Sequence, residues 1–376
     1  MKNLGIDATN IRKGGGLTHL VEILSNINPR DFDFNCVYIW ASKETLAKIP
    51  NRTWLIKRSH HWLDKTFLFS FSFQILYLSR EARSSNCDLL FIPGGTFFGF
   101  FPNYVTLSQN MLPFEYAERS RYKDLQSRIR FIFLELSQTW TFKRSKGVIF
   151  LTNYAKNSIC NLIQLKRPSI VIGHGSSPSF FNIPKEQLEI SNFSKERPFN
   201  LLYVSSILAY KHQWNVAEAV LDLRMKGYPI TLDLVGGCST SALKRLIDVI
   251  KKDTDQSIRY LGEVSRDEIS SIYMKADAFV FASSCENQPI ILIEAMASGL
   301  PIACSNKGPM PEVLGDSSFY FNPLDKSDIS RAIEKMLLSR DLRELFAKKL
   351  YHESQNYTWG ICARRTFEFL NNVKLN

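Results

Sequence analysis

Ala282-Ser-Ser-Cys-Glu286-Asn-Gln-Pro289-Ile-Ile-Leu-Ile-Glu294-Ala-Met-Ala-Ser-Gly299-Leu-Pro301 follows directly on four apolar residues, Ala278 to Phe281. Such a run before a polar turn suits a strand covered on both faces. Pro289 suits the first turn of a helix and Gly299 the position just past its end, which predicts a helix over Ile290 to Ser298. Every residue from Ile290 to Ala297 is apolar except Glu294. A helix that apolar is buried on most faces, and a carboxylate inside it needs a polar partner or a proton. Two readings stay open: Glu294 closes an internal salt bridge, or it is reserved for a ligand's hydroxyls. A vicinal diol suits a carboxylate, because both oxygens accept. The preceding turn presents the backbone N–H groups of Asn287 and Gln288 at a helix N-terminus, a place for an anion. A phosphate there and a ribose diol at Glu294 would belong to one nucleotide.

Outward from this segment the same strand, turn and helix rhythm recurs. Apolar runs at Leu4 to Ile6, Cys36 to Trp40, Leu89 to Ile92, Gly147 to Leu151 and Ser169 to Ile172 form a first series. Runs at Leu201 to Val204, Thr231 to Val235, Ile258 to Leu261, Ala278 to Phe281, Ile302 to Cys304 and Phe319 to Phe321 form a second. Helical patterns separate them, the signature of βαβ units. The polar stretch between the series predicts a first α/β domain at 1–184, a linker at 185–199, a second α/β domain at 200–355 and a C-terminal helix at 356–376 that returns to the first domain. Two doubly wound sheets facing a cleft are expected, with ligands outside the carboxyl ends of the strands.

The composition narrows the function classes. With 376 residues, 45% apolar and 22% charged, the chain is a folding sequence long enough for two cores. No stretch reaches the roughly 18 uninterrupted apolar residues of a membrane span, and Met1-Lys2-Asn3 opens no apolar leader, so a cytoplasmic location is expected. Seven cysteines without a CxxC pair argue against both a disulfide framework and a zinc site. The net charge of +11 is one-sided: residues 1 to 184 hold 23 Lys and Arg against 12 Asp and Glu, and the rest hold 24 of each. A basic half predicts an anionic partner.

Glu286 and Glu294, running into Glu-Ala-Met-Ala-Ser-Gly-Leu-Pro, resemble the signature of retaining glycosyltransferases of family 4, which have the two-domain GT-B fold. Tyr260-Leu-Gly-Glu-Val, Tyr273-Met-Lys-Ala-Asp277 and Pro311-Glu312-Val-Leu-Gly315-Asp look like that family too, so the resemblance is strong from Leu201 to Asp325 and fainter before it. It implies that Glu294 holds the ribose of a nucleotide sugar and that Glu286 contacts the sugar's hydroxyls. It places Lys211 against the diphosphate and puts Ser206 where the family has an arginine, so half of the cationic clamp is replaced. Asn287-Gln288-Pro289 stands where relatives have Gly-Phe-Gly, which alters the sugar pocket.

In the first half, Arg12-Lys13-Gly14-Gly15-Gly16 follows the first strand and resembles the family's glycine-rich loop, which implies donor contact at Gly15 and Gly16. Glycines allow close approach and positive φ. Pro93-Gly94-Gly95-Thr96 is a weaker signal of the same kind. Gln109 and Asn110 stand where many relatives have His-Asp; either can hydrogen-bond the transferring sugar or the acceptor, and neither can be a general base. In a front-face retaining transfer the departing diphosphate takes the acceptor's proton, so that absence is tolerated, and no cofactor or metal is expected. Asp31-Phe-Asp33 reads as a surface turn, His174 as a buried or hinge histidine, and His60-His61 as solvated.

Arg119 to Lys146 and Arg52 to Arg83 interleave basic residues with Trp and Phe, a pattern suited either to a core helix with a solvated face or to an anionic membrane surface. The combined expectation is a hexosyltransferase using a UDP- or GDP-linked sugar, peripheral on the inner face of the cytoplasmic membrane. Its acceptor would be a polyprenyl-diphosphate-linked saccharide or other glycolipid of O-antigen, lipopolysaccharide or capsule assembly. The competing expectation is a nucleotide-sugar-binding module with little or no turnover, suggested by Ser206. Nucleic-acid binding is not expected, since no reading motif accompanies the charge.

Overall fold

A computed structural model of the chain describes residues 1–375 except Ser239. It divides into two compact units, Met1–Gly175 with the segment from Trp359 on, and Ser176–Thr358.

The first unit is built on seven parallel strands: β1 Lys2–Asp7, β2 Phe34–Trp40, β3 Leu55–Arg58, β4 Leu89–Ile92, β5 Tyr104–Leu107, β6 Gly147–Phe150 and β7 Ser169–Val171. They lie in the order β3-β2-β1-β4-β5-β6-β7. The sheet thus winds both ways from β1 and β4. Strands β4, β5 and β6 are buried at every position, as central strands covered on both faces must be. Strand β3 is absent from the sequence reading. Its four residues, Leu-Ile-Lys-Arg, sit at the sheet edge, where charge is tolerated and discourages further pairing. The C-terminal helix Trp359–Asn372 packs Phe367 against Phe32 and Phe34, and Lys2 Nζ donates to Asn371 Oδ1 at 3.0 Å.

The second unit has six parallel strands, β8 Phe199–Val204, β9 Ile230–Val235, β10 Ile258–Gly262, β11 Ala278–Phe281, β12 Ile302–Ser305 and β13 Phe319–Phe321. Their order is β10-β9-β8-β11-β12-β13, with the winding reversed between β8 and β11. The helix after β11 runs Ile290–Ala297, and Pro289 is its N-cap, one position ahead of the first turn. Gly299 follows with φ 66°. A Cβ there would lie 2.7 Å from Pro184 Cα, so close approach as well as the left-handed conformation requires glycine.

That contact corrects the domain boundary. The division falls at Gly175, and the polar stretch expected as a linker is fastened to the second unit. Asn182 N donates to Ala297 O at 3.0 Å and Lys185 Nζ to Ala276 O at 3.0 Å. Arg343, fully buried, donates through Nε to Gln187 Oε1 at 3.1 Å and through Nη2 to Leu188 O. Among the described residues no helix is long and apolar enough to cross a membrane.

Candidate functional site

In the second unit, β8 and β11 are neighbours at the point where the winding reverses, the place where open α/β sheets receive ligands. Side chains and backbone weld these two loops together. Ser284 N donates to Tyr210 O at 2.9 Å, and Ser284 Oγ reaches the same carbonyl at 3.2 Å. His212, in the left-handed region at φ 51°, brings Nε2 to 2.9 Å from Ser284 Oγ. The buried Tyr203 hydroxyl donates to Lys211 O and accepts from Ala282 N at 3.2 Å. Burial, with the nearby Glu286 charge, pushes that phenol well above its ordinary range, so it stays protonated as a strut.

On this scaffold the two residues the sequence singled out meet. Lys211 Nζ is paired with Glu286 Oε1, with side-chain exposures of 9% and 13%. The ammonium also lies 5.1 Å from the centroid of Phe281 and 5.2 Å from that of Tyr210. A cation held by one carboxylate and two ring faces is largely withdrawn from water, so its charge is little screened. Behind it, burial and then the Glu286 charge hold the Cys304 thiol well above its ordinary range, which keeps it from acting as a thiolate.

Glu294 lies half-buried on the following helix. Its Oε2 accepts from Tyr273 Oη at 3.3 Å, and the same hydroxyl lies 3.1 Å from Ile291 O. Tyr273 is fully buried, and burial followed by the Glu294 charge raises its phenol well above its ordinary range. A shared hydroxyl orients the carboxylate. Asn287 and Gln288 are buried in the turn between Glu286 and this helix. Ser206, in contrast, is exposed, and its carbonyl accepts from Gln213 Nε2 at 3.1 Å. It brings no charge to the place where the resemblance expects one.

In the first unit, Gly14 caps the helix Gly15–Ser25 at φ 70°. A Cβ on Gly16 would come within 2.7 Å of Gln109 Oε1, so the glycine loop after β1 and Gln109 after β5 are brought together. Gln109 Nε2 is buried without a hydrogen-bond partner among the described residues. Asn110 is exposed, and its Oδ1 accepts from Leu112 N at 3.1 Å to close a local turn. Of the two acceptor-side candidates, Gln109 is therefore the one with an uncommitted group.

Several residues were missed by sequence reasoning. Asp7 ends β1 fully buried, accepting from Thr9 N at 3.1 Å, Thr9 Oγ1 at 2.7 Å and Gln74 Nε2 at 2.7 Å. Burial outweighs those bonds and raises its carboxyl to about 6. A carboxylate closing an apolar strand was the available signal. His174 is buried as expected, with Nδ1 at 3.2 Å from His19 Nδ1. Burial lowers His19 to about 4 and His174 well below the ordinary range. His60 is not the solvated side chain expected: its ring lies 5.2 Å from those of Phe73 and Tyr77.

The basic segment 119–146 contains the helix Leu125–Arg144. It buries Phe131, Ser137, Gln138, Thr141 and Phe142, and it exposes Leu125, Ile129, Ile132, Phe133, Leu136 and Trp140 beside Arg128, Arg130, Lys143 and Arg144. Phe98 stacks on Phe133 and Trp140 and meets Phe71 edge-on at 4.4 Å, while Arg144 lies 4.0 Å over Trp140.

Two doubly wound parallel sheets, of seven and six strands, one in each unit, are the architecture of the GT-B fold. Residues 184–353 match the family described as glycosyl transferases group 1. The chain is 24% identical over 242 residues to the O-antigen chain mannosyltransferase B of Escherichia coli, a match covering 62% of this chain and 62% of that protein. In fold it resembles WaaG, a glycosyltransferase involved in lipopolysaccharide biosynthesis, with TM-score 0.72 and 14% identity over 98% of this chain and 100% of that one. It also resembles Anabaena HepE in complex with UDP, with TM-score 0.67 and 16% identity over 98% and 99% of the two chains.

Proposed function

We propose that the protein is a retaining, metal-independent glycosyltransferase that moves a hexose from a UDP- or GDP-linked donor to a lipid-linked saccharide, in assembly of O-antigen or a related surface polysaccharide. The observation that carries this reading is the Lys211–Glu286 pair held at the switch point of the second sheet, one turn before Glu294 and its helix. Glu294 accepts from the ribose diol. The donor diphosphate takes over Lys211, and Glu286, released, turns to the hydroxyls of the sugar. Asn287 and Gln288 shape that pocket, and Ser206 leaves Lys211 as the cation of the clamp. As the C1–O bond to the diphosphate breaks, the acceptor oxygen bonds to C1 on the same face and its proton passes to the departing diphosphate oxygen. Lys211 stabilises the charge that develops there.

The acceptor side is placed at the carboxyl edge of the first sheet, at Gln109 and Asn110. The helix Leu125–Arg144 supports a peripheral seat on an anionic membrane, since exposed apolar side chains interleaved with arginines suit that interface. The mannosyltransferase relative favours mannose as the sugar, and the UDP complex of HepE favours a nucleoside diphosphate as the leaving group.

The test is a thermal-shift panel with UDP, GDP, ADP and dTDP on the wild type and Glu294→Ala. Stabilisation by about 2.7 kcal/mol is expected at 100 times the dissociation constant of the right nucleotide. A nucleotide that stabilises both proteins equally would remove Glu294 from the site.

A further inference from the structure

The seven-stranded sheet reverses its winding between β1 and β4, and a crevice for a ligand forms outside the carboxyl ends of such a pair. The chain leaving β1 runs Thr9-Asn10-Ile11-Arg12-Lys13, and the chain leaving β4 runs Pro93-Gly94-Gly95-Thr96. Asn10 ties the two: its Nδ2 donates to Thr96 Oγ1 at 2.9 Å and to Gly94 O at 3.5 Å. Its Oδ1 is buried and accepts nothing from the described residues.

Next to Asn10 lies a cavity of about 430 Å³ lined also by Arg12, Lys13, Lys65, Thr66, Phe67 and Ser70. Three of these seven side chains are cationic. Arg12 is fixed in place, because its Nη2 donates to the carbonyls of Leu63 and Lys65 at 2.7 Å each and to Ser70 Oγ at 3.3 Å. Its Nε and Nη1 donate to none of the described residues. Lys65 Nζ stands 4.7 Å from the Phe69 ring centroid. The acidic groups nearby are Glu44, which pairs with Lys48, and Asp64, which accepts from Lys43 N at 2.8 Å. Both keep their negative charge, and the three cations of the cavity outnumber them. At the rim, Phe67, Leu68 and Phe69 are exposed, so the cationic cavity opens onto an apolar ledge.

A cationic pocket continuous with exposed hydrocarbon fits one chemistry, an anionic head on an apolar chain. We infer that this cavity binds the phosphate or diphosphate of an amphiphilic acceptor, with its hydrocarbon over Phe67, Leu68 and Phe69. Asn10 Oδ1 packs against Gly94, so the anion is met by the cations of the cavity and not by Asn10. The inference rests on the lipid-linked acceptor proposed above and names the residues that would receive it.

Calorimetry on the full chain with geranyl diphosphate, inorganic pyrophosphate and geraniol, in the absence of any donor, tests it. Geranyl diphosphate should bind most tightly and geraniol not at all. The double variant Lys13→Gln/Lys65→Gln, at two exposed positions, should weaken geranyl diphosphate by roughly tenfold per lysine and leave the affinity for the donor nucleotide unchanged. Leu68→Ser should weaken geranyl diphosphate but not pyrophosphate. Geranyl diphosphate binding untouched by the double variant would overturn the assignment, because the anion would then sit elsewhere, at Lys211 for example. Pyrophosphate binding as tightly as geranyl diphosphate would overturn its lipid half. A chain that meets these expectations yet transfers no sugar would refute the proposed activity and leave the cavity assignment standing.

Discussion

Lys211 and Glu286 neutralise each other, and that arrangement makes opposite predictions for two neighbouring substitutions. If Lys211 receives the donor diphosphate, Glu286 competes with the ligand for it. Glu286→Gln should then tighten binding of the bare nucleoside diphosphate, although it removes a group needed for transfer. At an effective dielectric of about 20 and a separation of about 4 Å the pair is worth some 4 kcal/mol of attraction, most of it offset by desolvation. Returning about 1.4 kcal/mol of this to the ligand tightens binding roughly tenfold. Lys211→Met removes a charge-assisted bond of about 1.5 to 3 kcal/mol and should weaken the same nucleotide roughly tenfold to a hundredfold.

Stability should be asymmetric as well. Lys211→Met strands a carboxylate in a nearly buried pocket, which costs about 3 kcal/mol. Glu286→Gln strands an ammonium that still has the Phe281 and Tyr210 rings, a partial substitute worth about 1 kcal/mol. The double variant should recover most of the stability lost by Lys211→Met. Urea unfolding and calorimetry with the nucleotide found in the thermal-shift panel measure both effects. Glu286→Gln weakening the nucleotide as much as Lys211→Met would refute the competition and, with it, Lys211 as the diphosphate receptor.

Gly16→Ala should leave stability within about 1 kcal/mol, because the clash falls on the far end of the flexible Gln109 side chain, yet lower transfer by displacing that group; unchanged transfer would dismiss Gln109 from the site. His19 is kept neutral by burial, so folding is opposed as it protonates: between pH 7 and pH 5 the wild type should lose about 2 kcal/mol more stability than His19→Gln, given a shift from 6.5 to about 4. Equal losses in the two proteins, by urea titration at both pH values, would show that His19 titrates in the ordinary range. Leu136→Ser/Trp140→Ser removes two exposed apolar side chains worth about 1.5 kcal/mol or more each in an apolar setting, and should lower association with phosphatidylglycerol vesicles at least tenfold in a flotation assay; association that persists would place the membrane contact elsewhere.

The strands of both sheets were legible wherever burial on both faces writes itself as a continuous apolar run, as in Leu89–Ile92 and Ala278–Phe281. Leu55–Arg58 was not, since an edge strand half composed of cations reads as a basic surface stretch. The domain boundary was misplaced for a different reason. Composition marks 185–199 as polar, but its polar groups are consumed by partners far along the chain, above all by Arg343, which is more than 150 residues away from Gln187. A buried arginine on a helix looks like a solvated one until its carbonyls are found. Asp7 and His19 share this property: their meaning lies in what covers them.

The candidate site shows where local pattern stops and topology begins. Glu286 and Glu294 stand on one turn and helix, so their relation is written in consecutive residues. Lys211 is 75 residues from Glu286 and meets it because β8 and β11 are adjacent where the winding reverses. Spacing alone could supply the two halves and not the pairing. The pairing in turn bears on Ser206. A second cation beside Lys211 would leave unbalanced buried charge unless another carboxylate answered it. With Ser206 exposed and uncharged, Lys211 and Glu286 balance each other, and a diphosphate bound as proposed would draw its remaining stabilisation from hydrogen-bond donors in the turns around it. Selectivity in such a site falls on Glu294 and on the geometry of the 286–289 turn, because a single lysine cannot distinguish one diphosphate from another.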